Sequence, residues 1–273
     1  MKPLAIDLYA GLGGWTDGLL AEGYRVVGFD NERHRYPARE IAGSVIKAPN
    51  IDFRKHDSFN GTTEKRLRAC PLTGGWHEYP AQLVLQDVLT LHGSQFRNAA
   101  LIVASPPCQA YSYMAMPWKR GKAMAAAIRE DQTGRKLDAL NALFNACFRI
   151  QREACEAAGH HIPMVVENVK GAQPWVGGAA WHYGSFYLWG DVPALMPNGP
   201  GPEWFDKALD ERRREATKGF VTGLGKGHDW RQDPSGRFNS KSSARKAASA
   251  QIAKIPFALS SWIAHVYRGI AVE

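Results

Sequence analysis

Short apolar runs alternate with helix-spaced segments through the first 170 residues. "LAIDLYA" (4–10) leads to "GGWTDGLLAEGY" (13–24), then "RVVGFD" (25–30) and the helix-like "RHRYPAREIAG" (33–43). Runs of four to six apolar residues bounded by glycine or polar residues read as buried strands, and i, i+3, i+4 spacing reads as amphipathic helix. Further strands are predicted in "AQLVLQDVLTL" (81–91), "AALIVAS" (99–105) and "IPMVVEN" (162–168), with a long helix in "DALNALFNACFRIQREACEAAG" (138–159). This order predicts a doubly wound α/β sheet, in which ligands sit beyond the carboxyl ends of the strands. From Gly171 the pattern changes, with Trp175, Trp181, Trp189, Trp204 and Trp230 set among Gly and Pro, before "ASAQIAKIPFALSSWIAHVY" (248–267) returns to helical spacing. The expected division is an α/β domain over 1–170, a small loop-rich region over 171–249 and a helix over 250–273 packing back on the first domain.

A chain of 273 residues can bury a sizeable core without covalent staples. Cys70, Cys108, Cys147 and Cys155 form no CxxC pair and have no zinc-type His spacing, so neither a disulfide framework nor a metal site is expected. No apolar run approaches the ~20 residues of a membrane span and the N-terminus has no secretory pattern, so a monomer in a reducing cytoplasm is expected, with no membrane partner.

The net charge of +8 is unevenly placed: Lys207 to Lys254 holds twelve Lys and Arg against five acids. Such a segment is either a solvated basic face or a surface for nucleic-acid phosphates.

Three short stretches carry candidate chemistry. In "DLYAGLGG" (7–14), Gly11, Gly13 and Gly14 follow a strand and open a helix, where glycines permit a sharp turn and close approach of a ligand. The dinucleotide pattern is absent, since Thr16 stands where its third glycine would fall. Asp30 ends the second strand, 19 residues after Gly11, near the offset at which a carboxylate meets ribose hydroxyls, with Glu32 as the reserve. Asp87 lies beyond the third strand, where a carboxylate accepts from an adenine amino group or caps a helix. Together these describe a pocket for a nucleoside-bearing cofactor without a pyrophosphate.

The second stretch is "SPPCQAYS" (105–112), where two prolines end a strand in a stiff turn. A cysteine there stands at the polar edge of the sheet, where its pKa can be lowered and its thiolate made nucleophilic. Cys70, Cys147 and Cys155 are expected to be buried core thiols. In the third stretch, "VVENV" (165–169), Glu167 ends a strand and is a general-acid candidate.

Taken in order, these motifs resemble those of cytosine-5 DNA methyltransferases, and the tail "RKAASAQIAKIPFALSSWIA" is similar to the C-terminal helix region of small phage-type members. The resemblance implies a Rossmann-like S-adenosylmethionine methyltransferase sheet, with 171–249 as target recognition region. It implies that S-adenosyl-L-methionine is held by Asp7, Tyr9, Gly11, Gly13, Gly14, Asp30, Asn31, Asp87, Val88 and Pro106. It implies Cys108 as nucleophile with Pro107 and Gln109 beside it, Glu167 as the cytosine-binding acid supported by Asn168, and double-stranded DNA as partner. Asp131 and Arg135 resemble the start of the helix after the cysteine loop, and "AYSYMAMPWKRGKAM" (110–124) is expected to close over the base, with Lys119, Arg120 and Lys122 meeting phosphates. One motif departs: the alternating Gln-Arg-Arg segment that approaches the cytosine in the family has no counterpart, the corresponding stretch reading "YGSFYLWGDVP". Trp189 or an arginine from elsewhere is expected to substitute.

Other readings remain open on sequence: a tRNA cytosine-5 methyltransferase, an exocyclic-amino DNA methyltransferase, whose motif also opens "SPP" but ends in an aromatic residue, or a silent nucleic-acid-binding protein on this fold. The sequence does not separate restriction partner, phage self-protection and regulation.

Overall fold

The computed structural model describes residues 2–37, 76–111, 118–196, 250 and 253–270. They fall into two units, one of 1–33, 79–194 and 254–273, the other of 34–78 and 195–253. The basic segment from Lys207, together with Cys70, Trp204 and Trp230, lies outside the described residues except for Lys254.

The first unit is built on a seven-stranded sheet: β1 (Leu4–Leu8), β2 (Arg25–Asp30), β5 (Gln82–Leu85), β6 (Ala99–Ala104), β7 (Met164–Asn168), β8 (Trp181–Tyr183) and β9 (Phe186–Gly190). The strand order is β5-β2-β1-β6-β7-β9-β8. The first five are mutually parallel, and β9 runs antiparallel to both β7 and β8. This is the doubly wound α/β architecture expected, with an antiparallel hairpin added at one edge. Chain order reverses between β1 and β6, which opens a crevice at their carboxyl ends.

Sequence pattern explains the layers. Parallel strands covered on both faces read as continuous apolar runs, and "AALIVA" in β6 is of that kind, with only Ala100 not fully buried. Ile6, Leu8, Ile102, Ala104, Met164 and Val166 point to one face and pack with Phe144, Cys147, Ile150 and Ala154. Those four are helically spaced on a long helix (Arg135–Ala158), which follows a second one (Trp118–Arg129). On the opposite face lies α1 (Gly14–Ala21), so in chain order the two are α3 and α2. A short α4 (Gln173–Val176) and α5 (Phe257–Ile270) complete the helices described.

Helices α1 and α5 cross closely. A Cβ at Gly14 would run into the Ile255 backbone, and one at Gly18 into the Ser260 backbone. Lys254 pairs with Asp17 at 2.7 Å and Tyr24 donates to the Ala264 carbonyl at 3.1 Å, fixing the same contact. The small-residue spacing in "GWTDG" therefore serves helix packing.

Two stretches differ from their sequence reading. The expected helix at 33–43 begins as β3 (Arg35–Pro37), paired antiparallel with β4 (Trp76–Glu78) in the second unit; Pro37 has no N–H to give a helix, and 38–43 lie outside the described residues. The segment from Gly171, read as loop-rich, supplies β8 and β9 to the main sheet. Their link, Gly184–Ser185, is a two-residue hairpin turn with Gly184 at φ 59, the positive angle that a II′ turn places at its first central residue. Trp189 lies in the core, edge-on to Phe144 with ring centroids 5.4 Å apart, and its indole donates to the Gly177 carbonyl at 3.0 Å. It is thereby committed to packing.

Candidate active site

Because β1, β2, β5, β6 and β7 are parallel, all the motif residues emerge at one edge of the sheet. Residues 9–13 follow β1, Asp30 to Glu32 close β2, Asp87 follows β5, Ser105 to Cys108 follow β6, and Glu167 and Asn168 end β7. Main-chain bonds carry the alignment past the strand ends: Ala10 N–H to Phe29 O (3.0 Å), Gln86 N–H to Asp30 O (2.8 Å) and Ser105 N–H to Leu8 O (3.2 Å).

The turn after β1 is tightly wound, with Tyr9, Gly11 and Gly13 all at positive φ (61, 50 and 73). Tyr9 is the one non-glycine residue so placed among those described, and its hydroxyl is anchored on the Leu143 carbonyl of α3 at 2.8 Å. The glycines divide by role. A Cβ at Gly13 would stand 2.5 Å from Pro80 and one at Gly14 would meet Ile255, so both are packed by protein. At Gly11 the nearest such atom is the Tyr9 carbonyl oxygen at 3.9 Å, which leaves its outer side open to a ligand.

The acids divide in the same way. Asp30 is buried, with Oδ2 accepting from Gly11 N–H at 2.9 Å and Oδ1 from Glu32 N–H at 3.2 Å. It staples the glycine turn to β2, while Asn31 and Glu32 are exposed just beyond it. Asp87 caps the turn Val88–Thr90 by accepting from Leu89 N–H at 2.9 Å and remains exposed, whereas the Val88 side chain is buried in the core. An open glycine, with an exposed carboxylate past β2 and another past β5 that can accept from ribose hydroxyls and an adenine amino group, fits a nucleoside cofactor.

Beneath the turn, Asp7 is buried. Thr16 donates to its Oδ2 at 2.6 Å and lies 2.6 Å from the Tyr79 hydroxyl, while Oδ1 has no hydrogen-bond partner among the described residues. Burial pushes the Asp7 pKa up to about 8, the Thr16 hydrogen bond opposing and the Asp30 charge adding to the rise. Tyr79 fills the space over Gly28, where a Cβ would overlap its ring. Nothing near Tyr79 in sequence marks this partnership.

The turn after β6 places Pro106 inside, Pro107 and Gln109 outside, and Cys108 between the two extremes. Tyr111 N–H returns to the Cys108 carbonyl at 3.0 Å, closing a tight turn with the thiol on it. Asn168 donates through Nδ2 to the Pro106 carbonyl at 2.9 Å, so β7 holds the cysteine turn directly. Glu167, buried beside it, has its pKa raised by burial to about 8, opposed by a hydrogen bond from Ser105. Ser105 Oγ also accepts the Trp15 indole N–H at 2.9 Å, linking the start of α1 through the serine to the acid. Neither Ser105 nor Trp15 stands out in the sequence as a site residue, although Ser105 opens the "SPPC" stretch.

The Cys108 thiol is shifted opposite to the sequence expectation: burial first, then the nearby Glu167 charge, raise its pKa. The Glu167 carboxyl is near enough for its charge to be felt at the thiol, and burial favours the protonated form of both groups. Cys147 is fully buried, and Cys155 accepts from Ile162 N–H at 3.2 Å, so both have structural roles.

Around this edge, Asp131 accepts from Thr133 and from Lys136 N–H (2.7 Å), capping α3 just before Arg135. Arg129 lies over the Trp175 ring at 5.8 Å. Of the expected closing loop, 118–124 is helical, Lys119 and Lys122 are exposed on α2, the Arg120 side chain is not described, and 112–117 lie outside the described residues. Among the described residues no cluster of His, Cys, Asp or Glu could hold a metal ion, and no helix is long and apolar enough to cross a membrane.

No protein-family model and no curated protein matches the chain. Solved structures resembling it include a prophage-encoded Escherichia coli structure described as a DNA modification methyltransferase (18% identity, TM-score 0.31, covering 63% of this chain and 33% of that one). Others are the Schizosaccharomyces pombe Dnmt2 methyltransferase (14%, TM-score 0.32, 65% and 37%) and the Entamoeba histolytica methyltransferase EhMeth (15%, TM-score 0.29, 65% and 41%). The chain spans about a third to two fifths of their length. Overlaps of that size leave activity to be read from the site itself.

Proposed function

We propose that the protein is an S-adenosylmethionine-dependent cytosine-5 methyltransferase acting on duplex DNA. One observation carries the reading: Cys108 and Glu167 stand together at the carboxyl edge of the sheet, with burial favouring the protonated form of Glu167. The cytosine ring has too little electron density at carbon 5 to attack an alkyl group unaided, and in a duplex it has first to leave the base stack. The Cys108 sulfur, as thiolate, adds to carbon 6, and the electron pair released from the ring's double bond is drawn toward ring nitrogen 3. Glu167 donates its proton at that nitrogen, so the adduct is a neutral enamine, nucleophilic at carbon 5.

Bound S-adenosylmethionine supplies the electrophilic methyl group that carbon 5 takes. Gly11 gives the turn its open side, Glu32 suits the ribose hydroxyls better than Asp30 because both Asp30 oxygens already serve the main chain, and Asp87 suits the adenine amino group. Asn168 keeps the cysteine turn against β7, and Ser105 keeps the Glu167 carboxyl oriented. Because burial and the Glu167 charge raise the Cys108 pKa, the thiol rests protonated and gives its proton to water before the sulfur adds to carbon 6. A base or water then takes the carbon 5 proton, the thiolate is expelled, and the proton on ring nitrogen 3 returns to the Glu167 carboxylate, which restores both the ring and the acid.

The test is methyl incorporation from labelled S-adenosylmethionine into unmethylated duplex DNA and, in parallel, bulk tRNA, followed by bisulfite sequencing of the DNA. Bisulfite-resistant cytosines in a recurring context are expected in the DNA. Label only in tRNA would move the substrate to RNA, and label in adenine or in the exocyclic amine of cytosine would overturn the carbon 5 chemistry.

A further inference from the structure

The β8–β9 hairpin extends beyond the acid that grips the base. Glu167 is paired with Leu188 across the antiparallel β7–β9 ladder and Asn168 with Tyr187, so the strand runs from the site toward its turn at Gly184–Ser185. Directly paired residues share a face of the sheet and residues two apart on a strand share it again. Phe186 therefore shares the face of Leu188 and Glu167, as the diagonal neighbour of the acid. Such neighbours have Cα atoms about 7–8 Å apart, within reach of an aromatic ring. Tyr183 is paired with Phe186 and Trp181 with Leu188, which brings both onto the same face, and their rings lie 6.2 Å apart. Phe186, Tyr183 and Trp181 are all partly exposed. The alternate residues serve elsewhere: Tyr187 and Trp189 pack on the α3 side, and His182 stacks on Tyr187 at 4.9 Å.

We infer that this face of the hairpin, with Phe186 at its centre, is the wall on which the extruded cytosine stacks while Glu167 holds its edge. The inference rests on the function proposed above and adds a positioning residue to it. A carboxyl group meets the base in the plane of the ring and leaves both ring faces uncovered. The Cys108 sulfur has to reach carbon 6 from one face, and a flat apolar surface on the other stops the ring from tilting away from it. Aromatic side chains provide such a surface for any base, since stacking needs only a π-face. Tyr183 and Trp181 continue the platform outward.

The test compares Phe186→Ala, Phe186→Leu and Phe186→Tyr with the unaltered protein on a duplex carrying a site mapped by bisulfite sequencing. Base–aromatic stacking corresponds to roughly five- to 150-fold in affinity. Phe186→Ala is expected to lower kcat/KM for DNA by about that range and to reduce covalent trapping of a 5-fluorocytosine duplex in parallel. S-adenosylmethionine affinity and melting temperature stay near those of the unaltered protein. Phe186→Tyr restores activity, and Phe186→Leu, which keeps the bulk without the ring, restores it only in part; this variant reads the ring's role even where the alanine variant fails to fold. His182→Ala, on the other face, leaves kcat/KM unchanged. Unaltered kcat/KM and trapping in Phe186→Leu, or full rescue by leucine, overturns the wall. Failure of the unaltered protein to methylate DNA overturns the function beneath it.

Discussion

The buried acid Asp7 makes a quantitative prediction about pH and stability. Its pKa rises on folding from the usual 3.8 to about 8, so between those values the folded protein holds a proton that the unfolded chain has released. A state that binds more protons loses ground as protons become scarce, by about 1.4 kcal/mol per pH unit for one proton. From pH 5 to pH 8 the contribution falls by at most ~4 kcal/mol, and above pH 8 it is flat. Glu167, raised from 4.5 to about 8, acts in the same direction. Asp131 and Glu153, held below their ordinary values, stay ionised throughout this window. Asn in place of Asp7 keeps the shape and the acceptor for Thr16 but cannot titrate. Urea unfolding at pH 5, 6, 7 and 8 is therefore expected to show the unaltered protein losing stability steadily and Asp7→Asn losing it about half as steeply. A flat or rising profile in the unaltered protein, or an unchanged slope in Asp7→Asn, refutes the buried protonated acid.

Three further outcomes follow from the same geometry. Gly18→Ala forces α1 away from the Ser260 backbone and should destabilise by about 1–3 kcal/mol, seen as a fall of several degrees in Tm. Glu32→Ala should weaken S-adenosylmethionine binding by roughly ten- to a hundredfold with Tm unchanged, as for a lost charge-assisted hydrogen bond, while Asp30→Ala, which frees the Gly11 amide, lowers Tm as well; calorimetry and melting curves separate the two. Ser105→Ala removes the donor that opposes the rise in the Glu167 pKa and orphans the Trp15 indole, so the carboxyl should titrate above about 8 in a carbon-13 NMR titration and Tm should fall.

Most of the sheet was legible because buried parallel strands leave continuous apolar runs, and β1, β2, β5, β6 and β7 all lie where such runs predict them. Strand-end residues were legible for the same reason: once the strands are parallel, Cys108 and Glu167 share an edge. The hairpin β8–β9 was missed because its aromatic residues face both ways, which hides the period of two, although Gly184–Ser185 between aromatic residues is a hairpin signal. Gly13 and Gly14 were read as ligand contacts, yet close approach of Pro80 and of Ile255 demands glycine equally well. Asp30 was ambiguous for a related reason, since a carboxylate at a strand end serves a ribose or a main-chain amide with the same geometry. The direction of the Cys108 shift depends on burial and on Glu167, two features that no flanking residue reports.

The central claim is that Cys108 bonds to carbon 6 of a cytosine. Incubation with S-adenosylmethionine and a duplex carrying 5-fluorocytosine at the mapped site, followed by peptide mass spectrometry, tests it directly, because fluorine at carbon 5 prevents the proton loss that releases the sulfur. The account predicts a stable adduct on the peptide containing Cys108, lost in Cys108→Ala while DNA binding persists. Methylation of ordinary DNA by Cys108→Ala, or an active protein that forms no adduct with the fluorinated duplex, would contradict it.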